Sequence, residues 1–381
     1  MYFVFFCDSF MEKKIKGIKP VLFDDEALVS YLKEQKIPAF RGKQILYEIY
    51  KNQNIDFEEM TTLSKDLRSQ LADDFDTIPL EVEQIVEGPD TTKIAFKTKN
   101  GSVMESVLMY HWQPAKHAKD NKPKLNRITL CISSQVGCAM DCIFCVTGKL
   151  GFKKNLTWQE MIGQVLYANS YIKQRFGKKE DGTLWSVRNI VFMGMGEPLL
   201  NYEKMKKAIQ VMLQQDRLSL SKRHVTISTC GIVPGIDRLV QDGIDVKLAI
   251  SLHAPNQVLR NKIMPVAKAY PLDKLMQSID KYVQATDNRI FYEYIMIKDM
   301  TDKPELAYEL VDLMRGRLGH LNLIPYNENP AINLSESERS AIYRFKKILE
   351  DGGVTVTVRE TMGREAKGAC GQLGYEKVNK K

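Results

Sequence analysis

No part of this 381-residue chain reads as a membrane span or a secretory leader. The apolar opening MYFVFFCDSF is far too short to cross a bilayer, lacks a basic n-region and quickly meets Asp8. Met11 is an alternative start that would make residues 1–10 an extension, and residues 1–18 are set aside as a leader without assigned role. A disulfide framework is also missing: seven cysteines is an odd count, and three of them crowd the centre of the chain. These absences point to the cytoplasm. No solenoid-type repeat is evident. Charge excludes little, because 55 basic against 47 acidic residues (net +8) suits a polyanion such as RNA without requiring one.

With 44% hydrophobic residues the chain can bury one large domain and a smaller one. Residues 25–80 read as helical, from apolar residues at three-to-four spacing in DDEALVSYLKEQ, AFRGKQILYEIYKN and SKDLRSQLADDF, with Ser64 as an N-cap. The spacing predicts a helical domain over 19–85. A β-hairpin around Asn100-Gly101 and an exposed basic linker, 114–127, fill 86–127. From 128 to 360 short β-branched runs alternate with helical stretches: ITLCIS, RNIVFM, HVTIST, VKLAIS, RIFYEYIMI, HLNLIP and VTVTVR. That rhythm is βα repetition, hence an α/β fold built as a partial (βα)6 barrel, with chemistry expected at the C-terminal ends of its strands. Residues 361–381 form a glycine-rich tail segment.

The run SSQVGCAMDCIFCVTGKLGF places Cys138, Cys142 and Cys145 in CxxxCxxC spacing. A cubane 4Fe–4S cluster takes four thiolates, so three leave one iron open to a small molecule such as S-adenosylmethionine (SAM). A zinc knot would need a second paired unit, and the chain has none. After a later strand, GMGEP offers Gly196 for close backbone approach and Glu197 as a carboxylate that could hold an ammonium group; an ordinary turn explains it equally well. Ser228, Ser251, His253 and Asn327 fall at later strand ends, singly ordinary turn or cap residues, together the outline of one rim. Cys370 lies in a segment that Gly363, Gly368, Gly371 and Gly374 make mobile, and Cys131 lies on the first barrel strand. A buried structural thiol is the usual reading for either. Glu105 shares an apolar strand face with Val103, Val107 and Met109, which requires a partner or a proton-transfer role. Cys7 and Cys230 find no partner.

In order, CISSQVGCAMDCIFCVTGKLGF, VFMGMGEPLLN, VTISTCG, ISLHAP, LIPYN and ACGQL resemble the radical SAM adenosine-C-methyltransferases, closest to the branch acting on adenine carbon-2 of 23S rRNA. The resemblance runs from about residue 38 to Gly374. It implies a radical SAM barrel and a 4Fe–4S cluster on Cys138, Cys142 and Cys145. It further implies SAM contacts by Gly196, Glu197, Ser228, Ser251, Leu252, His253 and Asn327. Cys370 matches the cysteine that carries the methyl group, Cys131 its resolving partner through a disulfide, and Glu105 the proton acceptor. Two SAM are consumed per methyl transferred. The implied partners are one adenosine of 23S rRNA, often one beside the tRNA anticodon, and an external electron donor such as a flavodoxin-type reductant. A monomer is expected.

Two stretches depart from the family pattern. Where the family usually shows an acidic-aliphatic pair before the ACGQL cysteine, this chain reads Gly363-Arg364-Glu365-Ala366-Lys367-Gly368, and the insertion around Lys178–Trp185 is idiosyncratic. The carbon-8 branch of the family resembles GMGEA and SSQCGC where this chain has Pro198 and Val136, which favours carbon-2. A non-catalytic iron–sulfur RNA-binding factor would need neither Cys131 nor Cys370. The helical N-terminal region and the linker 114–127 are the sequence candidates for RNA backbone contacts.

Overall fold

The computed structural model describes residues 19–113, 124–359, 362–363 and 365–374. Cys7, the leader and the linker up to residue 123 lie outside them. Three helices open the described chain: α1 (Asp25–Glu34), α2 (Phe40–Tyr50) and α3 (Lys65–Asp74). Asp24 and Ser64 cap the first and third by accepting the N–H groups of Ala27 and Leu67. Leu28, Tyr31, Ile45, Ile49 and Leu71 pack between them as one end of a hydrophobic core that continues into the barrel. This domain is fastened to the barrel by an edge-on Phe23–Trp158 ring contact (centroids 5.8 Å apart), a Gln159–Asp24 hydrogen bond (3.0 Å) and an Arg217–Asp25 ion pair (2.6 Å).

The helical expectation overruns its element. Leu80–Glu87 is strand β1, paired antiparallel with β2 (Thr91–Thr98). Leu80 and Val82 alternate with Glu81 and Glu83 in the period of a strand, and the adjoining β2 satisfies the backbone, so the expected domain end at residue 85 falls inside a hairpin. β2 turns at Asn100-Gly101 into β3 (Val103–Gln113), with only Gly101 of that pair at positive φ (+79°). The turn is therefore a four-residue connection, Lys99 to Ser102, with one left-handed glycine. β3 pairs antiparallel with β4 (Lys124–Cys131), so the last residues of the expected linker are strand.

From β4 onward all neighbours in the main sheet are parallel: β7 (Asn189–Phe192), β8 (Val225–Thr229), β9 (Lys247–Ser251), β10 (Ile290–Met296), β11 (Gly319–Pro325) and β12 (Val356–Val358). A small hairpin, β5 (Gln135–Val136) with β6 (Lys154–Asn155), and the short α4 (Val146–Lys149) frame the cysteine loop. The crossover helices are α5 (Trp158–Phe176), α6 (Tyr202–Leu213), α7 (Val233–Gln241), α9 (Leu272–Thr286, after the short α8, Gln257–Ile263), α10 (Pro304–Met314) and α11 (Arg339–Asp351). Six βα units thus precede a seventh short strand, and the ten-stranded sheet is an open, splayed barrel rather than a closed one. Thr157 and Glu160 start α5 with a reciprocal capping box, so the chain turns sharply after the cysteine loop. Side chains alternate across each strand. Leu130, Ile190, Ile227, Leu248 and Leu321 are buried on the main core's side, while Thr129, Asn189, Thr226, Lys247 and Asn322 line the barrel interior. Among the described residues no helix is long and apolar enough to cross a membrane.

Candidate active site

The cysteine loop follows β4 at the C-terminal end of the barrel. Its backbone is tied on three sides: Cys138 N–H to the Gly151 carbonyl (3.2 Å), Ile143 N–H to Ile263 (3.1 Å) and Val146 N–H to Gly371 (2.9 Å). Gly137 makes the fold of this loop possible, since it sits at φ +71° and a Cβ there would stand 1.8 Å from the Gly151 oxygen. Burial pushes the Cys138 thiol up to about 12 and raises Cys142 well above an ordinary thiol, with the neighbouring cysteines adding to both. Cys145 is among the neighbours that raise both, so the three sulfurs stand close to one another.

Inside the barrel lies a cavity of about 410 Å³. Cys131 from β4, Cys145 from the cysteine loop and Cys370 from the tail segment all line it. Cys370 has accessible surface, yet that surface opens into this cavity, which explains why its thiol is nonetheless raised by burial. Cys131 is pushed up to about 12 by burial and by Cys370. Both are free thiols. The tail segment, expected to be mobile, is pinned here. Thr147 donates to the Leu373 carbonyl (2.9 Å) and Asn327 Nδ2 to that of Cys370 (3.1 Å).

Glu105 supplies another tether. One carboxylate oxygen accepts the Gly374 N–H (2.7 Å), and the other pairs with Lys93 (3.3 Å), whose side chain is only 2% exposed. The buried carboxylate thus has the partner its apolar strand face demanded, and it does not line the cavity.

Gly196, at φ +96°, lets the turn after β7 press on Gln135, where a Cβ would come within 2.4 Å. Gln135 in turn accepts the Glu197 N–H (2.8 Å). The Glu197 carboxylate is buried and caps two backbone N–H groups, Cys230 (2.8 Å) and Leu199 (3.0 Å). Burial raises its pKa and those bonds oppose the rise. Ser228 lies on β8, Ser251 ends β9, and Leu252 and His253 follow, both donating N–H to the Glu293 carbonyl (3.0 and 3.1 Å). His253 is held at φ +57°, accepts the Ile295 N–H at Nδ1 (3.1 Å) and meets the Phe144 ring edge-on at 4.8 Å. Burial and Arg260 lower its pKa to about 3, so the ring is neutral with its proton on Nε2.

Four contributors escaped the sequence reading. Cys230, left without a partner, stands against Glu197 and Cys142, which raise its thiol together with burial. Arg260 is fully buried, donates to the Cys230 carbonyl (2.6 Å), and leaves Nη1 without a partner. Glu293 and Arg359 line the cavity beside Cys370 as an ion pair (3.5 Å), with Asn322 donating to Glu293 (3.0 Å). A charged residue within the apolar run IFYEYIM was the available signal for Glu293.

Two family models match. Residues 132–311 match the radical SAM superfamily, and residues 21–76 match the ribosomal RNA large subunit methyltransferase N-terminal domain. A dual-specificity RNA methyltransferase RlmN from Psychrobacter arcticus is 42% identical over 356 residues, 91% of this chain and 85% of that one. The chain belongs to the RlmN family of radical SAM methyltransferases. A probable dual-specificity RNA methyltransferase RlmN from Dictyoglomus thermophilum is 39% identical over 92% of this chain and 95% of its own length. Among solved structures, a radical SAM methyltransferase from Sphaerobacter thermophilus superposes with a TM-score of 0.83 at 37% identity, covering 93% of this chain and 98% of that one. Membership of the radical SAM superfamily implies a 4Fe–4S cluster and SAM. The residues present fit that group: three neighbouring cysteines stand beside the buried Arg260 guanidinium, whose Nη1 is without a partner, which suits an anionic cluster. Among the described residues no set of His, Cys, Asp and Glu side chains is arranged to hold a single metal ion.

Proposed function

We propose that this RlmN-family chain methylates carbon-2 of an adenosine in 23S rRNA and in tRNA, through S-methylcysteine on Cys370, consuming two SAM per turnover. The observation that carries the reading is the meeting of Cys131, Cys145 and Cys370 around one cavity. Cys138, Cys142 and Cys145 would hold the cluster, and Gly196, Glu197, Ser228, Ser251, Leu252, His253 and Asn327 would hold SAM. When bound, these groups supply a methyl cation equivalent and, after reduction, a 5′-deoxyadenosyl radical.

The chain's own residues have four tasks. Cys370 takes the methyl group on sulfur and must be a thiolate to do so, which the adjacent Arg359 favours against burial. The methyl carbon, once it has lost a hydrogen atom, bonds to the electron-poor ring carbon, giving a base tethered to the Cys370 sulfur. A base removes the ring proton, a role the family resemblance gives Glu105 although its carboxylate stands outside the cavity lining, and the electron the adduct gives up would return to the group held by Cys138, Cys142 and Cys145. Cys131, as thiolate, attacks the Cys370 sulfur; the carbon–sulfur bond breaks with its electron pair going to the departing carbon, which takes up a proton to complete the methyl group, and methylated adenine leaves while a Cys131–Cys370 disulfide forms. An external reductant returns both thiols, as a reducing cytoplasm allows.

The decisive experiment is nucleoside mass spectrometry of 23S rRNA and tRNA after anaerobic reaction with the reconstituted protein, SAM and a reductant. The expected product is 2-methyladenosine in both RNAs, absent with Cys370→Ala. Appearance of 8-methyladenosine instead would overturn the carbon-2 assignment.

A further inference from the structure

The groups argued above stand at the C-terminal ends of the parallel strands. The opposite ends carry something different. Arg127 lies near the start of β4, Arg188 immediately precedes β7, Arg223 and His224 immediately precede β8, and Lys247 opens β9. Arg127, Arg223, His224 and Lys247 line the same 410 Å³ cavity as Cys370, so the barrel interior runs from the thiols to this basic floor. Four residues of parallel strand separate Lys247 from Ser251, a depth of about 13 Å.

A second cavity of about 700 Å³ adjoins the floor and shares Arg127 and His224 with the first. Its walls include Lys51 from the N-terminal domain, Arg188, and Lys179 and Trp185 of the unusual insertion, with the Lys179 ammonium 5.2 Å from the Trp185 ring centre.

Among the described residues none of Arg127, Arg188, Arg223 and Lys247 has a carboxylate partner. Nearby acids along the chain are engaged elsewhere: Glu180 with Lys124 (3.3 Å), Asp181 with the turn at Thr183 and Asp245 with Lys222 (2.7 Å). The gathered cations disfavour one another, and together with burial they lower both Lys247 and His224. Like charges brought together without counter-ions are a cost that a bound polyanion removes.

We infer that the barrel floor is the RNA-docking face: the target nucleotide enters the cavity from beneath, and the adjoining recess takes the phosphate backbone of the flanking strand. This rests on the RNA-methyltransferase reading and places substrate and cofactor at opposite ends of one barrel. It moves the main RNA contact away from the outer N-terminal helices. The insertion, through Lys179 and Trp185, becomes one wall of the recess.

The test is fluorescence anisotropy of the full-length reconstituted protein with a labelled tRNA anticodon stem-loop across a salt series. Arg223→Glu and Lys247→Glu should each weaken binding at least about tenfold. Each should also flatten the dependence of log Kd on log salt by close to one phosphate contact. Arg223→Lys should restore most of the affinity, and Lys65→Glu on the exposed start of α3 should change little. Thermal unfolding of each variant separates lost binding from lost fold. If the floor variants bind as tightly and as salt-sensitively as the parent, while Lys65→Glu weakens binding, the floor assignment falls and the N-terminal domain takes its place. If the parent protein binds no RNA at all, the underlying reading falls with it.

Discussion

Burial alone leaves the Cys370 thiol a poor nucleophile, because it raises the pKa and so depletes the thiolate at neutral pH. Arg359 is the opposing charge. The rate of Cys370 methylation should therefore climb with pH through and above the ordinary thiol range. Arg359→Gln should move that climb to higher pH and slow the step roughly tenfold at neutral pH; peptide mass spectrometry of S-methylcysteine across a pH series reads both. Two carboxylates compete for the ring proton. Glu105 is bound to Lys93 and Gly374, whereas Glu293 faces the cavity with a pKa raised by burial. Glu105→Gln should cut 2-methyladenosine formation by about 10²–10⁴-fold while leaving S-methylation of Cys370 intact. Undiminished product with Glu105→Gln, and loss with Glu293→Gln, would transfer the role to Glu293. Glu105 stood out in the sequence as a single acid on an apolar strand face, whereas Glu293 carried the same signal in IFYEYIM unread, and the surroundings of neither were legible. Glu105 faces the tail segment and Glu293 faces the cavity because the fold, not the local pattern, orients their strands.

At the scale of elements, the turn after β7 is the most constrained piece of the site. Gly196→Ala forces a side chain onto Gln135 at a backbone angle that L-residues avoid, a cost of about 1–3 kcal/mol. The expected outcome is a lower unfolding temperature and weaker SAM binding by calorimetry, with the cysteine loop still able to take up iron. Parent-like SAM affinity in that variant would remove the turn from the cofactor site. The βα rhythm predicted this turn's position well, since strand and helix periods are written locally. The expected helical domain runs into β1 even though the strand is also written locally: Val82, Ile85 and Val86 suit a strand, and its antiparallel partner β2 follows directly in the chain.

For the whole molecule, the joint between the N-terminal helices and the barrel combines contacts around Phe23, Trp158, Asp24 and Arg217 with bonds from Gln53 to Trp185 and from Lys173 to Glu59. Phe23→Ala removes a fully packed ring shared with Tyr50 and should cost about 3–5 kcal/mol. Calorimetry should show the N-terminal domain melting before the barrel, where the parent melts in one transition; a single unshifted transition would mean the joint is held elsewhere. The amino-acid sequence by itself determined the spacing of Cys138, Cys142 and Cys145, the alternation of strands and helices, and the glycines at the tight turns, because each is set by neighbours within a few residues. Tertiary structure alone decided that Cys131 and Cys370 line one cavity, that Glu105 tethers the tail segment, and that unpaired cations gather at the floor. Those juxtapositions arise only when parallel strands bring residues distant in the chain to the same end of one barrel.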